Sequence, residues 1–470
     1  VGDAPAAPPL WTSHDIVRAT GGTLHGEAFA AAGLDIDSRE LAPGDLFVAL
    51  TAARDGHAFA GSARGRGAVA TLASAPVTPP YVLVGDTLAG LRALAAAARD
   101  RAVHARRGAI TGSVGKTSVT QAVLAALRRA GEAHGSVRSF NNHIGVPLTL
   151  ARMPPATRTA IFEMGMNHAG EIAPLSRLVR PHAVAVTTVE AVHVENFAAG
   201  EAGVAAAKAE ILEGLEPGGA AILNADNRWF ETLALAARDR GATVRAFGRA
   251  QGAQARLLGF EARPGGARVE ARIDGADVAY ALRQSAPHWG PMSLCAILMI
   301  RELGVDLPTA LAALADFAPL AGRGAEATLI VPGGDFTLID DSYNASPVSV
   351  AAALRALGAR EARGRRIAVL TDMLELGPDA PALHAGLAPV AEAARIDALF
   401  CAGPLMRHLY EAIAPTRRGG YAEAAEGLIA DLASAIGPGD VVMIKGSHAS
   451  RAGDIVAALT GSHRAAPDDR

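Results

Sequence analysis

The stretch AITGSVGKTS, residues 109–118, sets Gly112 and Gly115 beside Lys116, Thr117 and the hydroxyls of Ser113 and Ser118. Glycines let backbone N–H groups approach phosphate oxygens, a lysine here reaches the β- and γ-phosphates, and a threonine hydroxyl suits Mg²⁺. The spacing is not the usual one. G-x-x-x-x-G-K-[ST] needs a glycine at position 110, where Ile110 stands, and the nearest glycines are Gly108 and Gly112. The bland alternative is an ordinary glycine turn before a helix with a surface lysine. An apolar run before the loop and a helical pattern after it favour a phosphate site.

Other candidates follow along the chain. Glu163 ends the apolar run TAIFE, where a strand-end carboxylate beside a phosphate loop can hold Mg²⁺. His193 and Glu195 lie just after the next such run, in EAVHVENF. Lys208, in AGVAAAKAEIL, reads from composition alone as a solvated helix lysine. DDSYNASP, residues 340–347, contains capping and turn residues in their own right; the functional reading gives a carboxylate there to a ribose hydroxyl and Asn344 to a substrate. IKGSHASR, residues 444–451, is a strand-to-helix turn with a cation, or simply a serine cap.

These residues need a scaffold of strands ending at a common edge. GDLFVAL (44–50) and YVLVGD (81–86) predict strands, with a helix and a strand between them, and TLAGLRALAAAARDRAVHA (87–105) predicts a helix serving as a connector. From 106 the order is strand, glycine loop, helix (SVTQAVLAALRRAG, closed by Gly131), then strands at 159–165 and 182–189 around the helical GEIAPLSRLVR. Strands alternating with helices imply a mainly parallel sheet. Residues 251–283 alternate in polarity and predict an antiparallel elaboration; MSLCAILMIREL (292–303) predicts a buried helix. After a boundary near 320–326, FTLIDD, RIAVLTD, ALFCAG and DVVMIKG give a second doubly wound pattern.

The chain has 470 residues, half of them hydrophobic, with a formal net charge of −3, which predicts two to four domains. No basic stretch interleaved with aromatics argues for nucleic acid. The most basic run, from Arg355 to Arg366, reads as a solvated helix end before a strand. Two cysteines, Cys295 and Cys401, in apolar surroundings speak against a disulfide framework. No apolar run reaches a membrane span, and the first residues carry Asp3 without a basic segment, so a cytoplasmic protein without a signal peptide is expected.

Taken in order, DSRELAPGDLFVAL, TGSVGKTS, NNHIGVPLTL, EMGMNHAGEI, AVHVENF, AKAEIL, GRG, DDSYNASP, DMLELG and KGSHASR resemble the Mur ligase family of peptidoglycan synthesis along nearly the whole chain. The family's shortened loop, G-x-x-G-K-[ST], is matched by Gly112, Gly115, Lys116 and Thr117. The resemblance implies an α/β fold of three domains. These are a small α/β UDP-substrate domain with a connector helix (1–105), a central P-loop-type ATPase domain with a mostly parallel sheet (106–321), and a C-terminal Rossmann-like domain (322–470). It implies an ATP-dependent, ADP-forming amide-bond ligase acting through an acyl phosphate.

The resemblance also implies roles. Two Mg²⁺ ions fall to Thr117, Glu163 and His193. Lys208 matches a lysine that is carbamylated in the family, and Arg323 the arginine that reaches the γ-phosphate when domains close. Lys116, Lys208, His193 and Arg323 are thus the expected catalytic set. The ATP set is Gly112, Ser113, Gly115, Lys116, Thr117, Ser118, Arg323 and Asp341, the last for ribose. Ser38, Arg39, Asp55, Gly56 and His57 match the UDP end, and Asn141, Asn142, Asn167, His168, Asn344, Lys445 and Ser447 the substrate-facing motifs. DDSYNASP and GMNHAGEI favour the branch that joins D-alanyl-D-alanine to UDP-N-acetylmuramoyl-tripeptide, because the arginine-centred diaminopimelate motif is absent. A monomer is expected.

One departure stands out. Where the family shows H-N-x-x-N-[AS] for adenine, this chain has HWGPMSL, with Trp289 and Met292 in place of asparagines. Rival readings are another amide ligase of the same superfamily, a non-catalytic UDP-peptide-binding protein, and an unrelated P-loop NTPase; the last leaves the UDP motifs unexplained.

Overall fold

The computed structural model describes residues 8–463 apart from 52–53, 137–138, 191–193 and 264. Two compact units are formed. One holds the chain up to Thr187 with Ala206–Ala246 and Cys295–Ala310; the other holds Thr188–Ala205, Phe247–Leu294 and the chain from Leu311.

In the first unit the strands are short and apolar. Arg106–Thr111, the strand before the glycine loop, pairs in parallel with Thr159–Glu163 on one side and Ala183–Val186 on the other. Ala220–Asn224 and Ala133–Gly135 extend this parallel arrangement. The register sets Glu163 opposite Ile110 and Val186 opposite Thr111, so the strands stop together at the edge where the loop begins. The helix after the loop, Lys116–Ala130, buries Val119, Ala122, Val123, Ala126 and Leu127 at helical spacing and is closed by Gly131.

A five-stranded sheet precedes it, ordered Thr23–His25, Tyr81–Leu83, Ala70–Ala73, Asp45–Val48, Gly33–Asp35, with only the first pair antiparallel. The predicted connector is the helix Thr87–Arg101, started by Asp86, whose carboxylate accepts from the N–H groups of Leu88 and Ala89. It is more than a connector. Leu91, Leu94, Ala95 and Ala98 are buried, Arg101 lies 3.9 Å over the Trp11 ring, and Arg101 donates to the Leu10 and Met153 carbonyls.

In the second unit Phe247 and Gly248 pair with the start of Ala255–Arg263, which continues antiparallel to Gly266–Ile273 and then Ala276–Leu282, as the alternating sequence predicts. A six-stranded sheet follows, ordered Ala325–Val331, Gly334–Asp341, Val441–Lys445, Arg366–Thr371, Ala398–Ala402, Arg418–Ala422. All its pairs are parallel except the first. Along Arg366–Thr371, Ile367 and Val369 enter one core while Ala368 and Leu370 enter the other, so both faces are covered.

The basic run is corrected here. The helix Pro347–Gly358 ends before most of its arginines. Arg360 forms a bidentate pair with Glu326 at 2.6 and 2.8 Å, and Arg365 holds the buried carboxylate of Asp440 at 2.7 Å. Arg355 and Arg363 are exposed, Arg363 with a rim contact to Asp335 at 2.6 Å.

Candidate functional site

The loop is held open by backbone shape. Gly112 has φ +149°, and a Cβ there would stand 1.9 Å from Thr187 Oγ1, so no other residue fits without displacing the neighbouring strand end. Thr187 Oγ1 donates to the Val114 carbonyl at 2.6 Å and fixes the loop from below. Gly115, at φ +86°, turns the chain into the helix that begins at Lys116. The Lys116 ammonium folds back over its own loop, donating to the carbonyls of Gly112 at 2.6 Å and Ser113 at 3.4 Å. Thr117 is buried with its hydroxyl 3.3 Å from Ser139 Oγ, and Ser118 sits in the first turn.

Beside the loop, Glu163 is 1% exposed at its strand end. Its Oε1 accepts from Asn141 Nδ2 at 2.7 Å, while Oε2 is buried with no hydrogen-bond partner among the described residues. A buried carboxylate oxygen left unpaired is costly unless something positive meets it, and a hard cation is a ligand that this oxygen suits. Lys208 is 4% exposed, which corrects the solvated reading from composition. Burial pushes its amine well below the ordinary lysine range, and the charge of Lys116 adds to the effect. His193 lies outside the described residues. No group of three or more metal-ligating side chains occurs among the described residues.

The second unit gathers another set. Asp341 pairs with Lys445 at 2.8 Å, and the buried Lys445 ammonium also donates to the Asn344 carbonyl at 2.9 Å. Arg323 lies 4.0 Å over the ring of Tyr343. Ser447 does not cap with its side chain; its Oγ accepts from Leu374 N at 3.0 Å.

Residues 110–298 match the Mur ligase middle domain, and residues 328–448 the Mur ligase glutamate ligase domain. The UDP-N-acetylmuramoyl-tripeptide–D-alanyl-D-alanine ligase of Escherichia coli (strain K12) is 36% identical over 386 residues, covering 81% of this chain and 83% of its own. The chain belongs to the Mur ligase family. A second Mur ligase of the same name, from Bacillus subtilis (strain 168), is 30% identical and covers 92% of this chain and 93% of its own. A crystal structure of MurF from Acinetobacter baumannii superposes with a TM-score of 0.85 at 25% identity, covering 97% of this chain and 99% of that one. The α/β, three-domain Mur ligase architecture implied by the sequence is the fold observed.

The remaining Mur ligase motifs are found in built loops. Asp55 accepts from His57 Nδ1 at 2.5 Å, and His57 Nε2 accepts from Ser74 N at 2.9 Å, which holds the ring between the two loops. The hydrogen bond from His57 holds the Asp55 carboxyl below its usual range. Gly56 lies inside this turn, Ser38 is buried, and Arg39 pairs with Asp37 at 2.7 Å. Asn142 Oδ1 accepts from the N–H groups of Ile144 and Gly145. Asn167 and His168 are exposed, and both meet Glu171: Asn167 through its backbone N–H, His168 through Nδ1.

Trp289 and Met292 are packed inside at 4% and 6% exposure, with the Trp289 ring 6.0 Å from Phe317. Sequence reasoning missed Glu210, two positions after Lys208. Its carboxylate accepts from the N–H groups of Gly170, Ile172 and Ala173 and so caps the helix Ile172–Val179. No local signal announces a cap about forty positions away. It also missed Asp372, in the quoted DMLELG, which is buried and accepts from Met406 N at 2.8 Å.

Proposed function

We propose that this chain joins D-alanyl-D-alanine to UDP-N-acetylmuramoyl-tripeptide at the expense of ATP, within peptidoglycan precursor synthesis. The observation that carries the reading is the shortened loop, with Gly112 seated on Thr187, Lys116 folded over it and Glu163 at the adjoining strand end. The names of the full-length relatives supply the substrates.

A carboxylate is a poor electrophile. In the proposed reaction the tripeptide's terminal carboxylate attacks the γ-phosphorus of ATP, the bond to the β-phosphate oxygen breaks, and ADP leaves. The dipeptide's neutral amine then attacks the acyl phosphate, phosphate departs, and the amine's proton is lost to solvent. Lys116 neutralises charge spreading over the transferred group, and loop N–H groups cradle the phosphates. Thr117, Glu163 through Oε2 and His193 are the residues that would hold Mg²⁺, which supplies charge neutralisation at the phosphates. Burial biases the Lys208 amine toward the neutral form, which would be able to add CO₂ and lose a proton to become a carbamate, an anion fit to support that cation.

In the same proposal Arg323 serves the γ-phosphate, Asp341 the ribose, and Ser113, Gly115 and Ser118 the remaining loop contacts. Ser38, Arg39, Asp55, Gly56 and His57 serve the UDP end. Asn142, Asn167, His168, Asn344, Lys445 and Ser447 face the peptide substrates. Asn141 orients Glu163 through its 2.7 Å bond. Domain limits near 105 and 321 complete it. The test is an acceptor panel: D-alanyl-D-alanine should give a pentapeptide product by mass, and glutamate or diaminopimelate offered alone should give none. Product from those amino acids instead would assign another ligase of the superfamily.

A further inference from the structure

A cleft of about 530 Å³ opens in the first unit, beyond the residues placed so far at the phosphate loop. Two of its walls are helices. Arg92 and Arg99, seven positions apart on Thr87–Arg101, face it from one side; Pro174 and Leu178, with Arg177, face it from Ile172–Val179. Asn142, His143 and Gly165 close the third side. Arg99 ties the two helices together by donating to the Leu178 carbonyl at 2.7 Å.

The charges in the cleft are unequal in their commitments. Arg99 is paired with Asp100, and Arg177 with Glu213, each at 2.8 Å. The side chains of Arg92 and His143 are exposed and make no hydrogen bond or ion pair among the described residues. One unpaired guanidinium and one imidazole, set among Pro147, Pro174 and Leu175, suit a single carboxylate on an aliphatic stem better than a pyrophosphate, and Glu171 on the rim opposes a dianion. The cleft adjoins the reacting edge through the chain itself. Asn141, which holds Glu163, precedes Asn142 of the wall, and Gly165 lies two residues after Glu163.

We infer that this cleft is a carboxylate-reading subsite for the peptide part of the acyl substrate: Arg92, assisted by His143, holds a carboxylate of the peptide other than the one that is phosphorylated. The inference rests on the ligase reading above and deepens it. A substrate gripped at a spectator carboxylate presents its terminal carboxylate to the phosphate loop in a fixed direction, and this selects acidic peptides over neutral ones.

The test is a binding cycle on the full chain. Two probes are compared by calorimetry without ATP: UDP-N-acetylmuramoyl-tripeptide, and the same compound with its spectator carboxylate converted to a primary amide. Losing a charge-assisted contact should weaken binding about tenfold. The wild type should therefore bind the amide about tenfold more weakly, Arg92→Gln should bind the free acid about tenfold more weakly, and Arg92→Gln should no longer distinguish the two. His143→Gln should show the same loss of discrimination in part. Discrimination retained in Arg92→Gln overturns the subsite. So does an equal loss in the affinity for UDP alone, which would assign the cleft to the pyrophosphate. Pentapeptide formation is followed by mass on the same preparations: binding cycle intact with no product overturns the ligase reading and leaves the subsite standing.

Discussion

Lys208 shows at the residue scale what a sequence hides. Its spelling is that of any helix lysine, yet the side chain is 4% exposed and burial drives its amine toward the neutral form. The unfolded chain binds a proton there up to about pH 10, and burial makes the folded chain bind it less readily, so protonation favours unfolding and stability rises with pH up to about that value. Lys208→Met should raise the thermal midpoint at pH 7 in bicarbonate-free buffer while abolishing turnover, and the gain should shrink as the pH approaches about 10. A gain that is the same at every pH would mean that the charge is not the cause. Gly112 is the opposite case, legible from the loop spelling alone. Gly112→Ala should cost about 3 kcal/mol, through the clash with Thr187 and the left-handed φ. Displacing the loop should lower turnover about 10²-fold. Denaturant titration and phosphate release read the two effects.

Elements were legible where periodicity is strong. The loop strand, the loop helix and the parallel strands of both sheets fall where apolar runs and glycines put them. Short or edge strands were not: Ala133–Gly135 has three residues, and Arg418–Ala422 carries two glycines and little apolar pattern. Ala325–Val331, the antiparallel partner of Gly334–Asp341, begins inside a stretch read as a domain boundary. Contacts distant in sequence were equally invisible, and Glu210 is the clearest. Three N–H groups at the start of Ile172–Val179 converge on its carboxylate, near the positive end of the helix dipole. Glu210→Ala should lower stability by about 1–2 kcal/mol. It should also raise hydrogen exchange at residues 170–173 ahead of the sheet. Unchanged exchange there would show that the cap is dispensable.

For the whole molecule, the order of motifs along the chain carried more than any single residue. Mostly parallel sheets, a shortened phosphate loop and a Rossmann-like final domain agree with a Mur ligase from one end of the described chain to the other. The packing of Trp289 and Met292 and the place of Arg92 in its cleft were not legible, because both depend on how separate helices meet. If Arg323 serves the γ-phosphate as proposed, Arg323→Ala should lower kcat about 10³-fold with little change in binding of UDP-N-acetylmuramoyl-tripeptide. Unchanged turnover would remove Arg323 from the mechanism. The central claim is tested most directly by phosphate release from ATP with Mg²⁺, measured with UDP-N-acetylmuramoyl-tripeptide and D-alanyl-D-alanine singly and together. Sustained release only when both are present, matched mole for mole by pentapeptide, is the predicted result. Release that ignores either substrate, or none despite tight binding of the UDP-tripeptide, would contradict it.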